Sequence, residues 1–102
     1  METRFFKRVI FRQEIDALAQ DGVFPAELEN ISLGGLFINT NKKISLGEEI
    51  EINIPLRNEF TTNKFFARLT AIRAEQKGIA FKFTDLDPKN FWTLQSFIKA
   101  SS

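Results

Sequence analysis

The chain has 102 residues, 43% of them hydrophobic, with a net charge of +1, twelve phenylalanines and neither histidine nor cysteine. That length predicts one domain over residues 1–102, with a core large enough to fold without staples. The missing histidine removes the commonest general base, the usual zinc ligand and every Ser-His or Cys-His pair, and the missing cysteine removes disulfides and thiolate metal sites.

The N-terminal METRFFKRVIFRQ lacks the uninterrupted apolar region of a secretory signal, and no apolar run nears the roughly 18 residues that span a bilayer. The expectation is a soluble, cytoplasmic protein without membrane insertion. Arg4, Lys7, Arg8 and Arg12 against Glu2 give +3 in the first twelve residues, which leaves −2 for the other ninety. Residues 1–8 therefore read as a flexible basic arm on a near-neutral body. Such an arm suits a small anionic ligand better than a long polyanion, so nucleic acid is disfavoured.

The phenylalanines mostly follow a period of two, the signature of strands with one buried face. A first strand is predicted over about Val9 to Ala19. It turns through Gln20-Asp21-Gly22 into a second over Val23 to Glu29, where Phe24, Ala26 and Leu28 share a face. Leu36 and Ile38 follow a double glycine, and Thr40 to Lys43 make a polar connection. In EEIEINIPL, Ile50, Ile52 and Ile54 alternate with polar residues, and the strand is predicted to end at Pro55. Phe65, Ala67, Leu69 and Ala71 line one side of the next strand, and Gly78 opens the last, with Ile79, Phe81 and Phe83 in alternation. Asp87-Pro88 is a helix start, an N-cap residue followed by proline at the first helical position, and Phe91, Leu94 and Ile98 follow at helical spacing. Six short antiparallel strands over 9–85 and a C-terminal α-helix over 87–99 are too few for a two-sheet sandwich. The predicted fold is mainly β, a six-stranded antiparallel barrel capped by the helix.

Little in the chain suggests catalysis. Glu49 and Glu51 form a carboxylate pair, but their strict alternation with isoleucine describes a solvated strand face. Gly34-Gly35 has no following Gly-Lys-Ser/Thr and is not a phosphate-cradling loop. A non-enzyme with no cofactor and no metal is expected.

Two segments carry the functional reading. Arg4-Phe5-Phe6-Lys7-Arg8 sets two guanidiniums four residues apart, and its bland reading is a solvated basic tail. Arg8 and Arg12 have the same spacing, so the register is open on this evidence. Asn30-x-Ser32-x-x-Gly35 has a bland reading too, a polar bend in which Asn and Ser satisfy their own backbone. Together the segments hold the parts a guanine nucleotide needs. Arginine forks onto guanine O6 and N7 or grips phosphate, Asn30 and Ser32 add short hydrogen-bonding groups, and Gly35 lets a bulky ligand approach the backbone.

RFFKR, then 21 intervening residues, then NISLGG resembles the PilZ domain pattern RxxxR followed by (D/N)xSxxG. The resemblance extends over the whole chain, since GIAFKFTDLD is similar to a late segment of that family and its domains are six-stranded barrels with a C-terminal helix. It implies a bacterial receptor for cyclic di-GMP in which Arg4 and Arg8 hold guanine and phosphate, with Asn30, Ser32 and Gly35 opposite. Lys7 and Gly34 are candidates for additional contacts. The family places its second arginine directly before the first strand, which selects Arg8 and sets Arg12 aside. Many members have a further arginine where this chain has Thr3, a departure that favours one bound copy of the dinucleotide over a stacked pair. Asn30 replaces the commoner aspartate, so a neutral carbonyl would meet a guanine N–H. The resemblance further implies a monomer or weak homodimer that relays the signal to a downstream protein partner through its arm. Motility, exopolysaccharide secretion and pilus assembly are the outputs it suggests. The alternatives are a PilZ-fold adaptor that works without nucleotide and an OB-like barrel for single-stranded nucleic acid.

Overall fold

The computed structural model describes residues 7–57, 59 and 62–101. Six strands and one helix follow in order: β1 (Val9–Ala19), β2 (Gly22–Ile31), β3 (Gly35–Asn39), β4 (Glu49–Arg57), β5 (Thr62–Glu75), β6 (Gly78–Asp85) and α1 (Pro88–Ala100). All neighbours are antiparallel and the sheet closes on itself in the order β1-β2-β3-β6-β5-β4. The six-stranded barrel and its helix are as the alternation predicts. The arm falls largely on residues 1–6, outside the described residues.

Alternation determines what lies inside. Ile15, Ala17, Phe24, Leu28, Ile38, Ile50, Ile52, Ile54, Phe65, Leu69 and Phe81 are all buried in one core. Each large aliphatic or aromatic side chain removed from water there contributes about 1.5–3 kcal/mol. The polar β3–β4 connection sends Ile44 into the same core, while Lys42 pairs with Asp21 at 2.8 Å and Thr40 donates to the Pro25 carbonyl at 3.0 Å. At the other end α1 packs on β4 and β5 through Leu94, Phe97 and Ile98. The Asp87 side chain caps the helix by accepting from the Asn90 N–H at 2.8 Å. That bond holds the Asp87 carboxyl below its usual range.

β4 does not stop at Pro55 as expected but continues to Arg57. Pro55 faces Lys64 across the β5 ladder, at the same parity as Asn53 opposite Phe66. The Phe66 N–H points away from β4, to Asn90 Oδ1 at 2.8 Å, so these are the non-bonded pairs of that ladder. Pro55 therefore turns its missing donor toward β1. There the β1–β4 ladder, paired only at Ala17↔Ile52 and Leu18↔Glu51, has already opened, and Gln13 Nε2 reaches the Pro55 carbonyl at 3.3 Å. A proline inside a strand is tolerated at such an edge.

The β3–β6 seam is the opposite case. A methyl group on Gly35 would lie 2.0 Å from the Phe81 carbonyl oxygen, and one on Gly78 would lie 2.1 Å from that of Ile38. Two glycines, one per strand at opposite ends of the pairing, allow these backbones their close approach.

Candidate functional site

The site begins with an irregularity. From the hairpin tip, β1 and β2 pair regularly from Ala19↔Gly22 to Gln13↔Leu28. Continued unchanged, that ladder would set Asn30 opposite Phe11, whose ring packs against Phe97 of α1 with centroids 4.8 Å apart. Instead the register shifts, and Asn30 lies opposite Ile10 and Ile31 opposite Val9. On its other side β2 shifts as well, from Leu28↔Ile38 to Asn30↔Phe37, so that Glu29 is the extra residue. A bulge of this kind re-aims the side chains that follow it. Leu28 and Ile31, three apart, are both in the core, and Asn30 is turned outward between them.

That turn brings the two sequence motifs together. Arg8, exposed just ahead of β1, donates through its guanidinium to Asn30 Oδ1. Arg12 serves elsewhere: its Nε lies 3.5 Å from Glu29 Oε1, on the bulge residue. The Glu29 carboxylate in turn holds the Glu27 carboxyl above its usual range, through a shared hydrogen bond and like-charge repulsion.

Ser32 is only 3% exposed and closes the β2–β3 turn. Its N–H donates to the Gly35 carbonyl at 2.8 Å, its Oγ accepts from the Gly34 N–H at 3.1 Å, and its hydroxyl donates to the Gly35 carbonyl at 3.4 Å. Phe83 N–H donates to the Gly34 carbonyl at 3.1 Å and ties that turn to β6. At Gly35 the sequence suggested room for a ligand. The space its missing Cβ leaves is taken by the Phe81 carbonyl, so the glycine serves the β3–β6 seam. Lys7 is exposed and Gly34 half-buried, and both flank the Arg8–Asn30 pair in sequence. Arg4 and Thr3 lie outside the described residues.

The carboxylates weighed for acid–base chemistry are differently placed. Glu49 is exposed, while Glu51 accepts from Arg68 at 3.1 Å and, with Asp85 at 3.8 Å, makes that guanidinium harder still to deprotonate. Sequence reasoning passed over two residues, Ile10 and Phe37, which flank Asn30 in the ladders on either side. The signal for Ile10 was present, since it alternates with the buried Val9 and must face out.

A family model described as PilZ domain matches residues 2–100. Among solved structures the chain is similar to the Bacillus subtilis inhibitor of motility MotI/DgrA, with a TM-score of 0.79 and 16% identity over 98% of this chain and 52% of that one. It thus spans about half the length of that protein. It is also similar to the PilZ domain of CeSA from a cellulose-synthesizing bacterium, with a TM-score of 0.66 and 18% identity over 93% of this chain and 94% of that one. At such identities the structural likeness speaks to the fold. No curated protein matches.

Proposed function

Because the chain belongs to the PilZ domain family, we propose that it is a cytoplasmic receptor for cyclic di-GMP that relays the signal to a protein partner. The observation that carries this reading is the hydrogen bond from Arg8 to Asn30, which joins the two motifs on the outer face of the barrel. Arg8, with Arg4, supplies guanidinium forks for guanine and phosphate. Asn30 keeps a second carbonyl lone pair for a guanine N–H. Ser32 holds its turn through the 3.1 Å bond from Gly34, and its longer 3.4 Å donation to Gly35 is the one a phosphate oxygen draws away. Gly35 places that turn by letting β3 close on β6. Lys7 adds positive charge beside the pair. The relay runs through the N-terminal arm, and its partner acts in motility, exopolysaccharide secretion or pilus assembly.

Calorimetric titration with cyclic di-GMP, beside GTP and a short single-stranded DNA, tests the reading. GTP carries one guanine and a single-stranded DNA holds its bases and phosphates on an open, flexible chain, whereas the cyclic dinucleotide fixes two guanines and two phosphates on one small ring, so it binds far more tightly than the others. Arg8→Ala weakens binding roughly ten- to a hundredfold, the loss of a charge-assisted contact of about 1.5–3 kcal/mol. Arg12→Ala, whose guanidinium pairs with Glu29, changes it little. Equal losses at both positions mean that the other arginine pair is the motif. No heat with cyclic di-GMP leaves the nucleotide-independent adaptor.

A further inference from the structure

We propose that Ile10 is a further ligand-contacting residue of this site, the apolar platform against which one guanine face of the dinucleotide lies. This rests on the cyclic di-GMP reading above. Ile10 is 79% exposed, the most exposed large hydrophobic side chain among the described residues. Its place in the barrel is specific: it is the direct ladder partner of Asn30 and lies two residues beyond Arg8. Residues directly opposite in an antiparallel ladder share a face of the sheet, and the side chain of Arg8 reaches Asn30 on that same face.

Across the barrel surface the order is Ile10, Asn30, Phe37, an amide between two apolar side chains. Phe37 is already engaged, half-buried with its Cε2 against Gly78. Ile10 is open to solvent. A purine matches this row in chemistry, because its edge carries every hydrogen-bonding group and its two faces are apolar. Cross-strand side chains stand about 4.5–5.5 Å apart at their Cβ atoms. One planar base therefore spans both, with its edge at Asn30 and Arg8 and a face on Ile10. The register shift between Ile10 and Gln13, where Phe11 and Arg12 of β1 lie against Glu29 alone, creates this neighbourhood, since the unshifted ladder would pair Asn30 with Phe11.

The test is titration of cyclic di-GMP into the wild type, Ile10→Ala, Ile10→Phe, Val23→Ala and Arg8→Ala, with a thermal melt of each. Val23 is a control on the same hairpin, 69% exposed and paired with Leu18 near the tip. Ile10→Ala is expected to weaken binding about five- to twentyfold through lost apolar contact. Ile10→Phe keeps or improves affinity, because an aromatic ring stacks on a base. Val23→Ala binds as the wild type does, and the melting temperatures of the Ile10 variants stay close to it. If Ile10→Ala binds like the wild type while Arg8→Ala does not, the platform is wrong and the receptor reading stands. A large drop in melting temperature for Ile10→Ala overturns the platform as well, because the residue is then structural. If the wild type itself gives no heat, both readings fall together.

Discussion

The two seams that close this barrel are built on opposite plans. Between β3 and β6 the strands approach so closely that neither Gly35 nor Gly78 has room for a methyl group. Between β1 and β4 only Ala17↔Ile52 and Leu18↔Glu51 pair, and the rest of the gap is spanned by a side-chain bond from Gln13 to Pro55 and by the helix through Phe11 and Phe97. The first seam is held by backbone geometry and the second by side-chain packing. β3, which begins at Gly35, borders the rigid seam, and β1, which follows Arg8, borders the packed one, while β2, which carries Asn30, lies between them. The candidate site therefore lies between the two plans: Gly35 sits at the close seam, and Arg8 leads into a strand that is laddered to β2 at Ile10↔Asn30 on one edge and left largely to side-chain packing on the other.

Substitutions that separate the two plans rank by expected effect. Gly35→Ala comes first, because a Cβ 2.0 Å from a backbone carbonyl has no rotamer to escape into. The destabilisation is about 4 kcal/mol or more, above the roughly 1–3 kcal/mol of ordinary overpacking, and urea unfolding measures it. A cost below about 1 kcal/mol would mean that the seam opens easily. Phe97→Ala tests the packed seam and costs about 3 kcal/mol, the lower end for a buried phenylalanine, because its site adjoins an opening that can relax. Amide exchange should then accelerate first in β1 near Phe11, and uniform acceleration in all strands would erase the distinction. Asn90→Ala removes the acceptor of the Phe66 N–H where β6 has ended, at a cost of about 1 kcal/mol because water replaces it at an exposed edge.

The smallest effect lies on neither seam and serves as the control. Glu29 raises the Glu27 carboxyl above its usual range, so the charged form is disfavoured in the folded state, and stability from this pair increases as pH falls through the raised value. Glu27→Gln should raise the melting temperature slightly at neutral pH, and that gain should vanish once the medium is acidic enough to protonate both carboxyls. A loss on substitution would reverse the assigned sign.

Most of the fold was legible because alternation is a local property. Ile50, Ile52 and Ile54 declare their inward face without help from the rest of the chain, and Asp87-Pro88 declares the helix start. The extension of β4 past Pro55 was not legible, since it depends on β1 having left that edge. For the site, Arg8 and Asn30 could be named from the motifs, but their meeting depends on a register shift that spacing alone does not encode. The one visible trace was the broken alternation at Leu28, Glu29, Asn30 and Ile31. Gly35 was singled out as room for a bulky ligand, but the body that presses on it is another strand of the same chain, and only the closed barrel identifies it.

The register shift also separates the hairpin tip from the site. Between the turn at Gln20-Asp21 and the row at Ile10 and Asn30 lie seven paired positions, roughly 25 Å of strand at about 3.3 Å per residue. Since the shift lies next to Asn30 and not at the tip, a change in turn length that leaves the ladder below it intact does not alter which residues face Arg8. The tip is accordingly the place to graft a reporter loop or a circularly permuted terminus, whereas one residue inserted or removed between Leu28 and Asn30 would change the register on which the meeting of the two motifs depends.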